Sequence, residues 1–421
     1  MADRTIDYLI IGGGVAGYSC ARTLREAGAD GTIALVTRDP DPPYDRTAVS
    51  KGYLQGRTPR EETMLASPEW WEEQGVELLT RTSALALDLD ARTVKLSNKT
   101  TVGFGKLLLA TGANIRRLRV DGSDLEGIHY VRALGNADTI RRDVEGAERV
   151  VMVGGSYIAT EVAASLTALG KQCALVMQED VTLERAVGPQ AGRFFQDVLE
   201  QHGVEVHGAD EVERFEGEDG RVTAVVTKGG RRIAADAVVV GAGVMPDVML
   251  AQRAGLEIGE RGGVKTDAGL RASVDGVFAA GDMAEYESPV HGGDHVRIEH
   301  WDVAEQQGAT AARSMMGEAA AHDVVPYFFS DLADWASMEF VGAPRAWDEE
   351  VVRGSIEDGA FSVFYLQDGR VVGALSVGRA EDLDAARALI ASGGDVGDGR
   401  EALADAGAPL PAPAAADASS P

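Results

Sequence analysis

A glycine-rich segment near the amino terminus has the residue types and spacing of a phosphate-binding turn. The mostly apolar stretch Asp7–Ile11 runs directly into Gly12-Gly13-Gly14-Val15-Ala16-Gly17. In such a segment Gly12 permits a tight turn, Gly14 lets a pyrophosphate approach the backbone, and Gly17 lets a following helix pack closely on the strand. The segment therefore predicts a strand, a turn and a helix whose amino-terminal end faces an anion.

The residues after this turn predict the rest of a dinucleotide-binding unit. Ala16, Cys20 and Leu24 fall on one helical face, Thr32–Thr37 has the composition of a buried strand, and the acidic Asp39 follows it. A glycine-rich turn without a ligand is the alternative interpretation, and this context weighs against it.

The composition indicates a globular protein of two or three domains. The 421 residues are 45% apolar and 25% charged, and the longest apolar runs, such as Leu107–Ala110 and Val238–Val240, have the length of strands. We therefore expect no membrane span and, because the amino terminus lacks the pattern of a signal peptide, a cytoplasmic location. The net charge of −27 disfavours nucleic acid and anionic membranes as partners.

Metal and thiol chemistry have little support in the sequence. Cys20 and Cys173 are the two cysteines, and they form neither a Cys-x-x-Cys motif nor a zinc-binding spacing. His291-Gly-Gly-Asp-His295 is a further metal candidate, but its paired glycines favour a solvated loop. We expect no resident metal.

The strongest organisational signal is an internal repeat. The first strand and turn reappear at Val150–Ala159, and Gln74–Glu77 is echoed by His202–Glu205. Each half ends alike, with Leu107–Ala113 matching Val238–Val244. A hairpin is predicted before each of these segments, at Ser97–Thr101 and Lys228–Arg231. The repeat predicts two dinucleotide-binding domains in one chain.

Two further segments offer polar groups to a bound nucleotide. An insert within Asp39–Trp71 contains the rigid, charged loop Pro42–Lys51, which we expect to contact the nucleotide. Gly276–Asp282 is a short apolar strand ending in an aspartate that suits sugar hydroxyls. Glu299-His300-Trp301 then precedes a helix predicted to begin near Asp302, which has capping-box spacing to Glu305.

The pattern changes in the last quarter of the chain. Val351–Ile356, Phe361–Leu366 and Val371–Val377 predict an antiparallel meander, and the composition after Ser392 predicts a disordered tail. The predicted domains are a discontinuous first dinucleotide-binding domain, a second one, a C-terminal α+β domain and the tail, at residues 1–112 with 245–323, 113–244, 324–392 and 393–421.

Taken together, these motifs resemble those of the FAD-dependent ferredoxin reductases that serve bacterial oxygenases, with their rubredoxin reductase and apoptosis-inducing-factor-like relatives. The resemblance extends from Ile6 to about Ile390. Its specific pieces are Pro43-Tyr44-Asp45-Arg46, Ser50-Lys51, Ala110-Thr111-Gly112, the second glycine turn ending in Glu161, Ala279-Ala280-Gly281-Asp282, Glu299-His300-Trp301 and Pro326–Asp331. It implies an α/β fold with two Rossmann-like domains of the glutathione-reductase type and a C-terminal α+β domain with an antiparallel sheet.

The resemblance also implies FAD in the first turn and NADH or NADPH in the second. Arg46 would contact the FAD pyrophosphate, Asp282 the ribityl chain, and Trp301 the pyrimidine end of the ring. Lys51 and Glu161 would form a catalytic ion pair beside the reactive edge of the flavin. The full set of expected cofactor-binding residues is Gly12, Gly14, Ala16, Gly17, Asp39, Arg46, Lys51, Ala110, Thr111, Gly112, Gly154, Ser156, Tyr157, Ile158, Glu161, Glu179, Gly243, Asp282, Glu299, His300, Trp301 and Phe329.

The sequence departs from the family pattern at three places. Ser156 and Ala159 replace the second and third glycines of the second turn. Met177 and Gln178 stand where NADH-using members commonly have an acidic residue, so Glu179 must reach the ribose instead. Phe329 occupies a position where oxygenase-linked reductases commonly carry tryptophan.

The resemblance favours hydride transfer from NADH to FAD, followed by single-electron transfer to a ferredoxin-type iron-sulfur protein. The absence of cysteine from Asp39–Trp71 argues against a disulfide reductase. An NAD(P)H oxidase or quinone reductase, and a redox-sensing flavoprotein of the apoptosis-inducing-factor type, remain alternatives. We expect a monomer or homodimer.

Overall fold

The computed structural model describes residues 2–412. Its strands, in chain order, are β1 Arg4–Ile11, β2 Ile33–Val36, β3 Val76–Leu79, β4 Ala84–Asp88, β5 Thr93–Leu96, β6 Thr101–Leu109, β7 Ala113–Ile115, β8 Ile128–Tyr130, β9 Arg149–Val153, β10 Gln172–Val176, β11 Glu205–His207, β12 Val212–Glu218, β13 Arg221–Thr227, β14 Arg232–Ala234, β15 Ala237–Val240, β16 Val244–Pro246, β17 Val264–Thr266, β18 Val277–Ala279, β19 Ala284–Ser288, β20 Asp294–Val296, β21 Tyr327–Leu332, β22 Ala336–Gly342, β23 Glu349–Ser355, β24 Ala360–Gln367 and β25 Arg370–Val377.

The α-helices in the same range are α1 Val15–Glu26, α2 Pro68–Glu73, α3 Leu134–Val144, α4 Tyr157–Ala168, α5 Glu184–Gln201, α6 Met249–Arg253, α7 Trp301–Met315, α8 Glu381–Ser392 and α9 Arg400–Ala404. The chain forms two compact units. The first contains residues up to Arg46, Glu61–Asn114 and Met245–Pro326, and the second contains Thr47–Arg60, Ile115–Val244 and the residues from Tyr327 onward.

The first unit is built on a sheet of order β3-β2-β1-β6-β5-β4, with β18 beside β6. The pairs among β3, β2, β1, β6 and β18 are parallel, whereas β5 and β4 continue the sheet as antiparallel strands. Leu9 and Ile10 of β1 are both fully buried. Successive side chains point to opposite faces of a strand, so both faces of this sheet are covered, as expected for parallel strands.

The second unit repeats this arrangement. Its parallel sheet has the order β11-β10-β9-β15-β8, so β9, β10, β11 and β15 correspond to β1, β2, β3 and β6. An antiparallel sheet of β12, β13 and β14 follows β11, and its second turn lies at the predicted hairpin. The repeat read from the sequence is therefore confirmed.

The second unit also contains an antiparallel sheet of order β21-β22-β25-β24-β23. The last three strands match the predicted meander to within two residues at each end. Phe361, Val363 and Phe364 of β24 are fully buried. The predicted α/β class with an added C-terminal antiparallel sheet is confirmed.

The segment after Ser392 differs from the sequence-based expectation of disorder. Residues 400–404 form α9, and Leu403 is fully buried. The Arg353 guanidinium, itself buried, donates to the carbonyl oxygens of Ala402 and Ala408 at 2.9 and 2.8 Å. Composition predicted disorder because it carries no information about this distant donor. Residues 413–421 of the predicted tail lie outside the described range.

Candidate functional site

The first glycine turn has the geometry of a phosphate cradle. Gly12 has a φ of +133°, and a Cβ atom there would lie 1.9 Å from the Ala110 carbonyl oxygen. A Cβ on Gly17 would lie 2.0 Å from the Gly12 carbonyl oxygen, so both positions require glycine. A Cβ on Gly14 would meet no atom within 4 Å. The open space therefore lies at Gly14, beside the amino-terminal end of α1, where an anion is favoured.

Arg46 lies in a compact polar cluster of the insert. Its Nη2 lies 2.6 Å from Asp39 Oδ2, and its Nη1 donates to the Tyr44 hydroxyl at 2.8 Å. Burial alone would lower the pKa of Arg46, but Tyr44, Asp39 and Asp282 nearby raise it instead. Three of the predicted site residues, Asp39, Arg46 and Asp282, are thus electrostatically coupled.

The segment Gly281–Asp282, which follows β18, contacts two residues that sequence reasoning missed, one on α7 and one just before it. Gln307 Oε1 accepts a hydrogen bond from the Gly281 amide at 2.8 Å. Arg297 Nη1 donates to the Asp282 carbonyl oxygen at 3.0 Å and also pairs with Glu299. Asp282 and Glu299 are therefore joined by a cation that lies outside the sequence motifs.

The helix α7 begins one residue earlier than predicted. His300 is the N-cap, with extended backbone, and Trp301 is the first helical residue. The predicted capping box is wrong, because Asp302 lies inside the first turn and Glu305 pairs with Arg22 at 3.1 Å. Burial lowers the pKa of His300 to about 4, so its imidazole is neutral near pH 7.

Buried polar atoms at α7 fit the resident group that the turn implies. Trp301 Nε1 and Gln307 Nε2 are buried and have no hydrogen-bond partner among the described residues. Buried donors in native proteins are nearly always paired. The Thr111 hydroxyl, next to Ala110 and Gly112, donates to the Asp247 carbonyl oxygen at 2.6 Å. Together with the open space at Gly14, the unpaired Trp301 and Gln307 donors suit a dinucleotide cofactor.

The second glycine turn reproduces the first, although Ser156 and Ala159 replace two of its glycines. Gly154 has a φ of +119°, and a Cβ there would lie 2.5 Å from the Gly241 carbonyl oxygen. Ser156 is the N-cap of α4 with φ −89° and ψ 176°, close to the −85° and −178° of Gly14. Because this backbone is extended, serine fits without strain, and its hydroxyl lies 3.4 Å from the Gly241 oxygen.

Glu179 lies beside this second turn. A Cβ on Gly155 would be 3.3 Å from Glu179 Oε2, and Arg185 Nε pairs with Glu179 Oε1 at 2.8 Å. Arg185 is 74% exposed, whereas Glu179 is 18% exposed. The other expected residues of this turn, Tyr157 and Ile158, open α4, and Gly243 follows β15.

Lys51 and Glu161 lie together in the second unit. Lys51 Nζ is 3.5 Å from Glu161 Oε1 and 3.1 Å from Asp331 Oδ2, and it lies 4.2 Å from the ring centroid of Phe329. Glu161 is buried and accepts hydrogen bonds from Ser50 Oγ at 2.5 Å and Ser330 Oγ at 2.6 Å. The sequence paired Lys51 with Glu161 but missed the contacts with Ser50, Ser330 and Asp331. These three residues nevertheless belong to the motifs Ser50-Lys51 and Pro326–Asp331.

Burial dominates the electrostatics of this cluster. Burial raises the pKa of Glu161, Lys51 and the two serine hydroxyls oppose that rise, and Asp331 adds to it. Burial and the Glu161 charge also raise the pKa of Tyr157. The arrangement is a buried carboxylate with one shared ammonium, a group whose protonation state responds to small changes nearby.

The two thiols are structural. Cys20 and Cys173 are buried, and burial raises the pKa of Cys173 to about 11. Neither group is a reactive thiolate near pH 7. Within residues 2–412 no three His, Cys, Asp or Glu side chains cluster as metal ligands, and no helix has the length and apolar character of a membrane span.

Comparison with known proteins agrees with this geometry. The pyridine nucleotide-disulphide oxidoreductase family model matches residues 6–308, and the reductase C-terminal model matches residues 327–414. The chain belongs to this oxidoreductase family. It is an NAD(P)H-dependent flavoprotein reductase of the ferredoxin reductase type with FAD as its cofactor, and the predicted family, activity and cofactors are confirmed.

Individual members of the oxidoreductase family match along nearly the whole chain. The 5,5'-dehydrodivanillate O-demethylase ferredoxin reductase subunit of Sphingobium is 37% identical, over 96% of this chain and 97% of its own. Rhodocoxin reductase of Rhodococcus erythropolis is 34% identical, over 91% and 89%. The covalent putidaredoxin reductase–putidaredoxin complex contains a chain with a TM-score of 0.91 and 31% identity, over 97% and 98%.

Proposed function

We propose that the protein takes hydride from NADH and passes single electrons to a ferredoxin-type iron-sulfur protein that serves an oxygenase. When bound, FAD accepts the hydride and releases the electrons, and this chemistry belongs to the cofactor. The observation that carries the proposal is the buried Lys51–Glu161 pair in a chain whose insert, residues 39–71, contains no cysteine. Electrons therefore have no thiol pair in the insert through which to leave.

In this proposal each glycine turn holds one cofactor. The first turn and the cluster of Asp39, Arg46 and Asp282 hold FAD, and the second turn holds the nicotinamide nucleotide. The other residues keep the roles proposed from the sequence. We also propose the domain boundaries at residues 112, 244 and 323. Lys51 supplies positive charge for the transfer, and Glu161 orients its ammonium.

The proposed preference for NADH rests on Glu179. Its carboxylate lies beside the second turn, where it would accept hydrogen bonds from ribose hydroxyls and repel a 2′-phosphate. We expect stopped-flow reduction to be faster with NADH than with NADPH at equal concentration. In Glu179→Ala the ratio of the NADH rate to the NADPH rate should be smaller. The exposed carboxylate Glu205 provides the control variant Glu205→Ala. Faster reduction of the wild type by NADPH would overturn the preference and implicate Arg185.

The proposed partner is tested by ferredoxin-dependent reduction of cytochrome c. A ferredoxin encoded near this gene is titrated into NADH, FAD-loaded protein and cytochrome c, and we expect the rate to rise and saturate. Rapid consumption of oxygen or quinone without ferredoxin would instead favour the oxidase or quinone reductase. A stable long-wavelength band without turnover would favour a redox sensor.

A double-mutant cycle tests the proposed role of Lys51 and Glu161. Lys51→Ala leaves the Glu161 charge buried without a cation, which would lower the free energy of unfolding by about 3–5 kcal/mol at full burial. The loss should be smaller in Glu161→Ala, because Lys51 is 15% exposed and keeps Asp331 at 3.1 Å. We expect Lys51→Ala to lower the flavin midpoint potential and slow reduction by NADH. The double variant should fall short of the summed effects. Lys228→Ala, which breaks an exposed pair with Glu211, is the control.

We also propose a cytoplasmic location, which suits two reduced, buried thiols. A monomer or homodimer is proposed as the oligomeric state. Sedimentation equilibrium of the FAD-loaded protein tests the state directly.

A further inference from the structure

The strand β21 holds Lys51 and Glu161 from its two faces. Side chains alternate along a strand, so Phe329 and Asp331 share one face and Ser330 points to the other. Lys51 contacts the first face, through the ring of Phe329 and the carboxylate of Asp331. Glu161 contacts the second face, through the hydroxyl of Ser330. One strand thus fixes both members of the pair relative to each other.

Asp331 is the nearer carboxylate to the ammonium. Its Oδ2 lies 3.1 Å from Lys51 Nζ, against 3.5 Å for Glu161 Oε1. Its Oδ1 accepts a hydrogen bond from the Ser337 hydroxyl of β22 at 2.7 Å, which fixes the orientation of the carboxylate. Lysine carries a flexible four-carbon stem, so the position of its charge depends on such fixed partners.

We propose that Asp331 is a positioning residue that shares the Lys51 ammonium with Glu161 and so sets how much positive charge Glu161 receives. This inference rests on the proposed function, in which the Lys51–Glu161 pair supports hydride transfer. A strand of the C-terminal sheet thereby controls a carboxylate on helix α4 of the same unit. Neither the family models nor the names of the relatives assign this role.

The charges around Glu161 give the expected direction. Lys51 and Ser50 face it from the insert, Tyr157 from its own helix, and Ser330 and Asp331 from β21. Removing the Asp331 charge deletes a like charge and leaves the Lys51 ammonium to Glu161 alone. Both changes favour the ionised carboxylate and should lower the pKa of Glu161.

The test is the protonation of Glu161 in the FAD-loaded protein, followed by infrared spectroscopy across pH. The carboxyl band is assigned by its loss in Glu161→Gln. We expect Asp331→Asn to lower the protonation midpoint by about 1 pH unit or more, and Asp331→Glu to restore it toward the wild-type value. Asp334→Asn removes an exposed charge three residues away and should leave the midpoint in place.

An unchanged midpoint in Asp331→Asn, or an equal shift in Asp334→Asn, would overturn the inference. Asp331→Ala supplies the same test if the asparagine variant does not fold. The rate of reduction by NADH separates this inference from the proposed function. A shifted midpoint with unchanged rates in both Asp331→Asn and Lys51→Ala would support the sharing of Lys51 and remove the pair from hydride transfer.

Discussion

The imidazole of His202 stacks on the indole of Trp335, with ring centroids 3.9 Å apart and only 7° between the ring planes. His202 is the C-cap of α5, and its Nδ1 lies 2.8 Å from the Val198 carbonyl oxygen. Trp335 lies in the turn between β21 and β22, which is closed by a hydrogen bond to the Leu332 carbonyl oxygen. The stack therefore ties a helix of the dinucleotide-binding sheet to the hairpin that carries Ser330 and Asp331.

We predict that this stack stabilises the β21–β22 hairpin. An aromatic pair contributes about 0.5–1.5 kcal/mol beyond its buried area, so a double-mutant cycle of His202→Ala and Trp335→Leu should give a coupling of that size. Amide hydrogen exchange in β21 and β22 should become faster in both variants. Trp347→Leu changes a different indole of the same unit and serves as the control. Strictly additive effects would show that the rings contribute nothing jointly.

The open space at Gly14 gives a clean test of cofactor binding. Because a Cβ there meets no protein atom within 4 Å, Gly14→Val should fold normally but obstruct the pyrophosphate. We expect an unchanged far-ultraviolet circular dichroism spectrum and a markedly lower FAD content, measured from the absorbance of released flavin. Gly135→Val, at another unobstructed glycine, should retain full FAD. A Gly14→Val protein with full FAD would place the flavin elsewhere.

Asp210 should make the stability of the second unit depend on pH in the acid range. Burial alone would raise its pKa, but hydrogen bonds from Thr227, the Gly229 amide and Arg231 lower it from 3.8 to about 2. The stabilisation is therefore full above the unfolded value near pH 4 and is lost as the pH falls through about 2. Urea unfolding from pH 2 to 6 should show Asp210→Asn less stable at pH 6, with the difference shrinking toward pH 2. If the difference in unfolding free energy between wild type and Asp210→Asn stayed constant across this pH range, the assignment would be wrong. Asp334→Asn is the control.

Arg353 should hold the C-terminal segment in place. Arg353→Met leaves the carbonyl oxygens of Ala402 and Ala408 without their buried donor. The Asp382 carboxylate stays paired, because Arg379 also donates to it at 2.8 Å. We expect the free energy of unfolding to fall by about 1–3 kcal/mol for each carbonyl oxygen left unpaired. We also expect proteolytic cleavage within residues 393–412, mapped by mass spectrometry. Arg387→Met, at an exposed pair with Asp384, should change neither quantity. Resistance to cleavage would mean that packing of Leu403 alone suffices.

Local requirements explain what the sequence predicted well. Gly12 and Gly154 predict their turns, because the positive φ values and the nearby carbonyl oxygens at these positions permit no side chain. The buried parallel strands are recognisable in the sequence as continuous apolar runs, because both of their faces are covered. These signals lie within a few residues of the feature they specify, so the repeat and the fold class could be read directly.

Contacts between distant segments explain what the sequence missed. Asp331 reaches Lys51 only after β21 is placed against the insert, and no pattern around either residue encodes that contact. The predicted capping box of α7 failed for a similar reason. Glu305 forms an ion pair with Arg22 of α1 and does not cap its own helix. The order of residues 393–412 depends in the same way on Arg353.

Because Cys20 and Cys173 are buried, the surface of the described chain presents no thiol that reacts with thiol reagents. A cysteine introduced at an exposed residue, for example Leu169→Cys on a side chain that is 43% exposed, would then react alone with a maleimide dye. Fluorophores could be attached one at a time without first replacing native residues. Such a labelled protein would report each encounter with an electron acceptor as a change in emission.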